Sequence, residues 1–483
     1  MNYLRGSDRS QIEFLPACIE DYIEPNSPAR FIDAFVEGLD FQKLGFTRAQ
    51  PASTGRPGYH PADLLKLYLY GYLNRIRSSR RLEAEAARNL ELLWLMRGLR
   101  PDFKTIADFR KDNRQAFRPL FKQFNLLCRK MELFGAELVA IDGCKFKALN
   151  NPGQHYSRKQ LDELVGKIEQ RIEDYLQELD TQDGQAQGVA GAPTREALEQ
   201  KIAQLKERQG NYQQLLKGLQ EKDQNEVSLV DQDSRAMQKV GVGYNVQVAV
   251  DAKHHLIVEP EVVQSACDRG QLSKMAIAAK AQLGVEQLQV TADAGYHEAD
   301  QLESCEKASI ETYVPDTGKS SGRSTGGKRV FPKEQFIYEP ASDSYRCPAG
   351  QRLSRAFVSR CKGKERVIYY NLSACAQCSL KRQCTSGWHR VIARRLNEAV
   401  VDRAAQRLEK HPQILARRKE IVEHVFGTLR NWGYDHFLTK GLSKVKAEFS
   451  LSALTYNLRR VLNLCAVEQL IEKLSKNEAV AAS

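Results

Sequence analysis

Two aspartates each follow a short stretch that is typical of a strand. Asp142 comes after residues 138–141 and before a glycine, and Asp293 comes after residues 288–292. A carboxylate at the end of a central strand is a common way to hold a divalent metal against a phosphate, and hard oxygen ligands favour Mg²⁺ or Mn²⁺ over Zn²⁺. The alternative for Asp142 is a plain turn, because Asp-Gly is also typical of turns.

A glutamate on a predicted helix over residues 417–430 supplies a third acid. One stripe of this helix, beside the apolar stripe that would dock it, consists of Lys419, Glu423, Gly427 and Arg430. A Glu that faces an Asp pair can share two magnesium ions, and flanking cations can hold phosphates. Phosphoryl transfer needs such an arrangement, with two metals about 3.5–4 Å apart at the attacking and leaving oxygens. The alternative is an exposed Glu in a charged helix.

Four cysteines late in the chain form a second group that could do chemistry. They are Cys347, Cys375, Cys378 and Cys384. The first stands in a Cys-Pro-Ala-Gly stretch that resembles a metal-binding knuckle, and the next two form a CxxC pair. The pattern predicts a structural Zn²⁺ site. Ordinary reduced thiols are the alternative, and Cys361 or His389 are alternative ligands.

The N-terminal part of the chain, residues 10–130, reads as helical. An apolar helix at 62–73 runs into a group of clustered arginines. These are Arg75, Arg77, Arg80 and Arg81. Short helices, tight turns and clustered arginines favour a helix-turn-helix-like module that binds DNA. The alternative is a helical domain whose arginines only cover its surface.

The elements that would position the three acids follow in order. Residues 157–224 read as an antiparallel helical hairpin, which could be an arm for dimerisation, a DNA clamp or a passive spacer. Alternating residues at 243–251 and 256–263 predict a β-hairpin, and a helix at 270–283 precedes the strand before Asp293. The last third, from about residue 397, reads as helical.

The composition limits the class of protein and its partners. A chain of 483 residues predicts two to four domains, and a formal charge of +12 with pI about 9.1 favours a polyanionic partner, nucleic acid before membrane. No window approaches eighteen consecutive apolar residues, so no transmembrane helix is expected. The N-terminus lacks the apolar region of a signal peptide, and we therefore expect a cytoplasmic protein whose eleven cysteines stay reduced.

Three short motifs, in this order, resemble a bacterial insertion-sequence transposase of the DDE type, with an RNase H-like catalytic core. They are Ala-Ile-Asp-Gly at 140–143, Ala-Asp-Ala-Gly-Tyr at 292–296, and Val-Glu-His-Val-Phe-Gly at 422–427 followed by Arg430. Weaker matches lie at 243–247 and between 441 and 458. The resemblance implies that Asp142, Asp293 and Glu423 bind two Mg²⁺ or Mn²⁺ ions and that Arg430 contacts DNA phosphate.

The sequence also departs from that family pattern. Some relatives carry Tyr and Arg seven and four residues before the Glu, where this chain has Ala416 and Lys419. Lys419 would keep the charge for a phosphate contact, but no tyrosine role carries over.

The predicted fold class is an α/β RNase H-like core, a mixed sheet flanked by helices. An N-terminal all-α domain, a helical-hairpin insertion and a β-rich cysteine-bearing insertion complete it. The predicted boundaries are 1–132 for the helical, DNA-binding domain, 133–156 and 225–316 for the core, 157–224 for the hairpin, 317–396 for the cysteine-bearing insertion, 397–472 for the C-terminal helical part of the core and 473–483 for a tail.

The predicted function is DNA transposition, in which element ends are cut and the released 3′-hydroxyls attack target DNA. The predicted partners are element-end and target DNA, with a homodimer on DNA because two ends must be brought together. Two alternatives remain open at this point. One is a metal-dependent nuclease on the same core, and the other is a catalytically inactive DNA-binding descendant.

Overall fold

A computed structural model describes residues 18–51, 57–183, 194–221, 223–316, 330–361 and 364–481. The side chain of Cys361 and residues 317–329 of the predicted cysteine-bearing insertion lie outside this description. So do the first residues of the predicted N-terminal domain.

Helices occupy both ends of the chain and flank the strands between them. The α-helices are α1 (Pro28–Glu37), α2 (Pro61–Leu73), α3 (Ser79–Arg88), α4 (Leu90–Leu95), α5 (Phe103–Asp112), α6 (Phe117–Lys130), α7 (Arg158–Asp183), α8 (Arg195–Glu221), α9 (Leu272–Leu283), α10 (Ala299–Lys307), α11 (Leu372–Ala376), α12 (Lys381–Cys384), α13 (Glu398–Lys410), α14 (Gln413–Asn431), α15 (Leu442–Leu464) and α16 (Val467–Ala481).

The strands lie in the middle of the chain. They are β1 (Leu138–Lys147), β2 (His155–Ser157), β3 (Glu226–Ser228), β4 (Arg235–Met237), β5 (Gly241–Asp251), β6 (Ile257–Val263), β7 (Leu288–Ala292), β8 (Ile310–Tyr313), β9 (Ile337–Glu339), β10 (Ser344–Arg346), β11 (Arg352–Cys361), β12 (Lys364–Tyr370) and β13 (Ile392–Arg395).

A mixed sheet forms the centre of the molecule, in the order β4-β5-β1-β7-β8 with β6 also paired to β5. β5 is antiparallel to β1, β4 and β6, whereas β1, β7 and β8 run parallel. The predicted hairpin of β5 and β6 is therefore confirmed, and so is a mixed α/β architecture. Strands β1, β5 and β7 are buried along most of their length, as expected when helices cover both faces of a sheet.

Different helices cover the two faces of this sheet. On one face, Phe146 of β1 meets Phe426 of α14 and Phe449 of α15, with ring centroids 6.4 and 5.9 Å apart. α9 packs against β1, β5 and β6 on the other face. α9 ends where Gly284 takes a φ of +69°, a left-handed conformation that glycine adopts without steric cost.

The N-terminal helices share their apolar core with the sheet. One continuous cluster of buried side chains runs from Ala29 in α1 to Leu470 in α16, and α15 packs against both α2 and α6. Almost every residue of α2 is buried, and this includes Lys66. The Lys66 ammonium is satisfied by ion pairs to Asp33, at 2.6 Å, and Glu37. This region is therefore packed into the same core as the strands.

The two helices predicted at 157–224 are present as α7 and α8, which pack along each other. They have a separate small apolar cluster that includes Leu161, Ile168 and Ile202. The two-stranded sheet of β2 and β3 closes their base. Because this cluster is separate from the central one, the hairpin's stability depends mainly on its own seam.

A second, antiparallel sheet has the order β13-β12-β11-β10-β9 and its own small core. It contains the late cysteines and lies between the strand that precedes Asp293 and the helix that carries Glu423 in the chain order. Near the C-terminus, α16 continues through most of the segment that was predicted as a tail from residue 473.

Candidate active site

Asp142 lies in the middle of a strand, not at its end. β1 continues for five residues beyond it, to Lys147, so both the strand-end prediction and the plain-turn alternative are wrong. The following glycine has a packing reason. A Cβ on Gly143 would lie 2.5 Å from Asp268 Oδ1 and 3.0 Å from Asn245 Oδ1, and would also collide with Gln247. These polar side chains lie directly against the strand backbone, so a side chain at position 143 would have to displace them.

Sheet pairing brings the first two acids together. β1 and β7 are parallel, and their register ends with Ile141 opposite Ala292. An acid follows each of these two residues, Asp142 within β1 and Asp293 directly after β7, so we expect their backbones to lie about 4.8 Å apart, as neighbouring strands do. Residues in register point to the same face of a sheet. The two carboxylates therefore form a pair on the α14 face.

The surroundings shift the proton affinity of Asp142. Burial is the main cause that raises its pKa to about 6; the negative charge of Asp293 contributes to this rise, whereas Arg418 and the Gly143 N–H oppose it. The Gly143 N–H donates to Asp142 Oδ1 at 2.8 Å. Asp293 in turn accepts the Gly295 N–H at 2.9 Å, which begins the short 3-10 turn after the strand.

Helix α14 is attached to β1 on either side of Glu423. Arg418 Nη1 donates to Asp142 Oδ2 at 3.2 Å, and Arg430 Nη2 lies 2.9 Å from Cys144 Sγ. Between them, apolar residues such as Val422 and Val425 are fully buried against the core. Glu423 is exposed and forms no hydrogen bond or ion pair with another described residue. The third predicted acid thus lies on the helix that docks against the first.

Arg418, which the sequence analysis missed, is the cation that reaches Asp142. Lys419, the predicted phosphate contact, is exposed one residue further on. The missed signal was that Arg418 interrupts the apolar stripe of α14, since it lies four residues after Ile414 and four before Val422. A charged residue at a docking position indicates a partner in the core.

A second group of polar residues, also missed, lies behind Asp142 on the opposite face of β1. Asp268 Oδ1 accepts from Lys145 Nζ at 3.0 Å, Asn245 Nδ2 at 2.8 Å and Gln247 Nε2 at 2.7 Å. The Tyr296 hydroxyl donates to Gln247, and burial raises the pKa of this hydroxyl well above its usual value. The signal in the sequence was a pair of polar residues, Asn245 and Gln247, among the apolar residues of β5. Both are fully buried in the structure, where buried polar groups need partners.

The clustered arginines divide into two kinds. Arg77 is used inside the protein, because its guanidinium donates to the carbonyls of Gly433 at 2.6 Å and His436 at 2.9 Å and lies over the Tyr434 ring. The other three are exposed: Arg75, Arg80 and Arg81.

The four predicted zinc ligands come from separate segments and line one cavity. All four are reduced and only partly buried. Burial raises the pKa of Cys384, and the other three thiols add to that effect. In the described part of the chain, however, no three His, Cys, Asp or Glu side chains are gathered closely enough to hold a metal ion as they stand. This holds for the acids as well as for the cysteines.

Comparison with known proteins identifies two segments of the chain. Residues 17–112 match the family described as Transposase domain (DUF772), and residues 346–462 match the family described as Transposase DDE domain. These two matches support an insertion-sequence DDE transposase. No curated protein and no solved structure gives a significant match.

The two matched segments cover different parts of this transposase. The first contains α1 to α5, with the clustered arginines. The second contains Glu423 and the four cysteines, whereas Asp142 and Asp293 lie outside it. DDE transposase domains indicate a DNA-processing enzyme and generally use divalent metals. No helix of the described residues is both long and apolar enough to cross a membrane.

Proposed function

We propose that this transposase cuts DNA at the ends of a mobile element and joins the released 3′ ends to target DNA, with Asp142, Asp293 and Glu423 as its catalytic acids. The observation that carries the proposal is the register of β1 and β7, which ends with Ile141 opposite Ala292, the residues directly before the two aspartates. The attachment of α14 to β1 around Glu423 supports the third acid. A mixed sheet with helices on both faces supports the RNase H-like core.

The three acids supply oxygen ligands that fit a hard divalent metal ion. Two carboxylates in register supply oxygen ligands, and the unpartnered Glu423 is a third oxygen donor on the neighbouring helix. Asp142 is mostly buried and pairs with the Arg418 guanidinium at 3.2 Å, which supports a carboxylate that takes a positively charged partner. We therefore assign Mg²⁺ or Mn²⁺, two ions in all, to these three acids. When bound, the ions would stabilise the charge on the attacking and leaving oxygens of an in-line displacement.

Other residues of the chain would hold the DNA. Lys419 and Arg430 lie one turn before and two turns after Glu423 on the same helix, so both are proposed to contact phosphates beside the acids. Arg75, Arg80 and Arg81 are exposed and remain proposed DNA contacts of the N-terminal region. Arg77 is reassigned to packing because its donors are engaged by backbone carbonyls. Bringing two ends together implies a homodimer on DNA.

The test is a cleavage and strand-transfer assay with candidate end sequences in the presence of Mg²⁺ or Mn²⁺. We expect Asp142→Asn, Asp293→Asn and Glu423→Gln each to lower cleavage by at least about a hundredfold, because each removes a metal ligand. The matched control is Glu420→Gln, an exposed acid one turn earlier on α14 that should keep full activity. Each variant must melt as the wild type does.

Each outcome of this assay decides between the functions. Joined products that need all three acids support transposition. Nicking without joining would instead support a metal-dependent nuclease. Gel-shift binding with no metal-dependent cleavage, unchanged by Asp142→Asn, would support an inactive DNA-binding descendant and overturn the proposal.

A further inference from the structure

The second sheet contains a cavity whose walls hold all four late cysteines. This small cavity has a volume of about 30 Å³, the size of one small bound species. We call these residues the four-cysteine cluster: Cys347, Cys375, Cys378 and Cys384. They come from the turn after β10, from the end of α11 and the turn that follows it, and from the end of α12. The turn with Cys347 thus meets a later segment, residues 372–384, that holds the other three cysteines.

Local backbone structure holds the cysteines in place. The Gly350 N–H donates to the Cys347 carbonyl at 2.8 Å, and the Cys347 N–H donates to the Gln351 carbonyl at 2.9 Å. This tight turn needs a glycine, because Gly350 has a φ of +76°. On the other side of the cavity, Asn371 caps α11 through the Ala374 N–H at 2.9 Å. The cysteines are therefore presented by short, closed turns.

The apolar core of the second sheet is small for a sheet of five strands. Only six fully buried side chains form it among the described residues: Phe336, Tyr345, Leu353, Val367, Tyr369 and Ile392. Several large apolar side chains of the same sheet remain exposed, including Phe357 and Ile337. Small units with so little buried surface usually need a disulfide or a structural metal. No disulfide is present here, since all four thiols are free.

The charges around the cavity match a metal bound by thiolates. Four thiolates and one Zn²⁺ carry a net charge of about −2. Two cations line the cavity, Lys381 and Arg390. Arg390 Nη1 donates to the Cys384 carbonyl at 3.1 Å, while its buried Nε has no hydrogen-bond partner among the described residues. Buried donors without partners are rare, so this one indicates a negative group beside it.

We propose that the four-cysteine cluster binds one structural Zn²⁺ ion, which holds the turn after β10 to the two short helices. The thiols are not yet gathered at ligand distance, and coordination would draw each sulfur to about 2.3 Å from the ion. Soft thiolates select Zn²⁺, whereas the three acids are hard ligands, so the two metal sites are chemically separate. The proposal does not depend on catalysis.

The test measures metal content in the purified full-length transposase after dialysis against metal-free buffer. We expect about one zinc per chain in the wild type, and almost none in Cys378→Ser or Cys384→Ser. The matched control is Cys18→Ser, which removes an exposed thiol far from the cluster in the chain and should keep the zinc. The two cluster variants should also melt at a lower temperature than the control.

A measurement on the wild type keeps the test decisive if the cluster variants do not fold. A mercurial reagent that reacts with thiols should release the zinc and lower the melting temperature, and Co²⁺ exchanged into the protein should show a thiolate charge-transfer band. A wild type without zinc, zinc that stays in both cluster variants, or Co²⁺ without that band would each overturn the proposal. None of these results would bear on cleavage by the three acids.

Discussion

Gly143 shows how a single residue without a side chain supports the proposed site. It lies between Asp142 on one face of β1 and the Asp268 network on the other, where Asn245 and Gln247 press against the backbone. Hydrogen bonds link Asp268 to Lys145, Asn245 and Gln247, so the network supports the strand from the face opposite Asp142. The position of Asp142 thus depends on residues that never touch the acid itself.

We predict that Gly143→Ala displaces this network and lowers both stability and cleavage. The added methyl would lie 2.5 Å from Asp268 Oδ1, and a core clash of this kind typically costs about 1–3 kcal/mol. The measurements are the free energy of unfolding in urea and the cleavage rate. Gly166→Ala in α7 is the matched control, because a Cβ there meets nothing within 4 Å. It should be neutral or slightly stabilising. Equal stability of both variants would show that the polar side chains can shift to accommodate the added methyl group.

Helix α6 and strand β6 show how a whole element is joined to the sheet. Arg118 of α6 pairs with Glu259 and, at 2.8 Å, with Glu261, while Lys446 of α15 reaches Glu261 at 2.7 Å. Glu259 is almost completely buried, and burial raises the pKa of this carboxyl whereas Arg118 lowers it. The N-terminal helices are thus tied to the edge of the sheet by charge as well as by apolar packing.

We predict that Arg118→Met destabilises the protein in a pH-dependent way. Glu259 has a folded-state pKa above the unfolded value of about 4.3. Its ionisation therefore opposes folding. The free energy of unfolding falls as the pH rises from the unfolded to the folded pKa of Glu259. Without Arg118 the buried Glu259 carboxylate loses its partner, which should lower the free energy of unfolding by roughly 1–3 kcal/mol near neutral pH. This figure is already reduced for solvent screening, because Arg118 is partly exposed.

The measurement is the free energy of unfolding at neutral and at mildly acid pH. The loss in Arg118→Met should shrink in acid, where Glu259 becomes protonated and neutral. Arg114→Met, an exposed arginine that precedes α6, is the control and should change stability by less than about 0.5 kcal/mol at either pH. If Arg118→Met lowers the free energy of unfolding equally at both pH values, Glu259 is not the cause of the destabilisation.

At the scale of the whole molecule, distant parts of the chain are packed into one core. The central apolar cluster includes residues of α1 and of α16, and Arg77 bridges the N-terminal helices to the loop after α14. Arg77 also lies 3.5 Å from the buried Glu448 of α15. The formal charge of +12 is therefore not all available to DNA, because some arginines are used to close the fold.

We predict that Arg77→Ala and Arg81→Ala separate these two uses of arginine. Arg77→Ala should lower the free energy of unfolding by about 1–3 kcal/mol, because two carbonyls and Glu448 lose their partner. Arg81→Ala should leave stability within about 0.5 kcal/mol. It should weaken DNA binding and reduce the dependence of affinity on salt, as the loss of a phosphate contact does. Thermal melts and DNA titrations at several salt concentrations measure both, and a destabilised Arg81→Ala would contradict the division.

The sequence by itself determined several of the strands and helices, because alternation and helical spacing are local properties. It therefore predicted the β5–β6 hairpin, the two helices α7 and α8, and the motifs that place this chain among DDE transposases. The position of each proposed catalytic acid within its element was less accessible. Asp142 was expected at a strand end, but β1 continues to Lys147, paired with β5 along the whole of this stretch.

Only the tertiary structure decided which residues meet. Asp142 and Asp293 become neighbours through strand pairing across a long separation in the chain, and nothing local specifies that register. Arg418 rather than Lys419 faces Asp142, because the rotation of α14 is set by the apolar side chains that dock it. Arg77 and Arg81 look alike in sequence and differ only in what surrounds them. Contacts between distant residues depend on packing, and packing is a property of the folded chain.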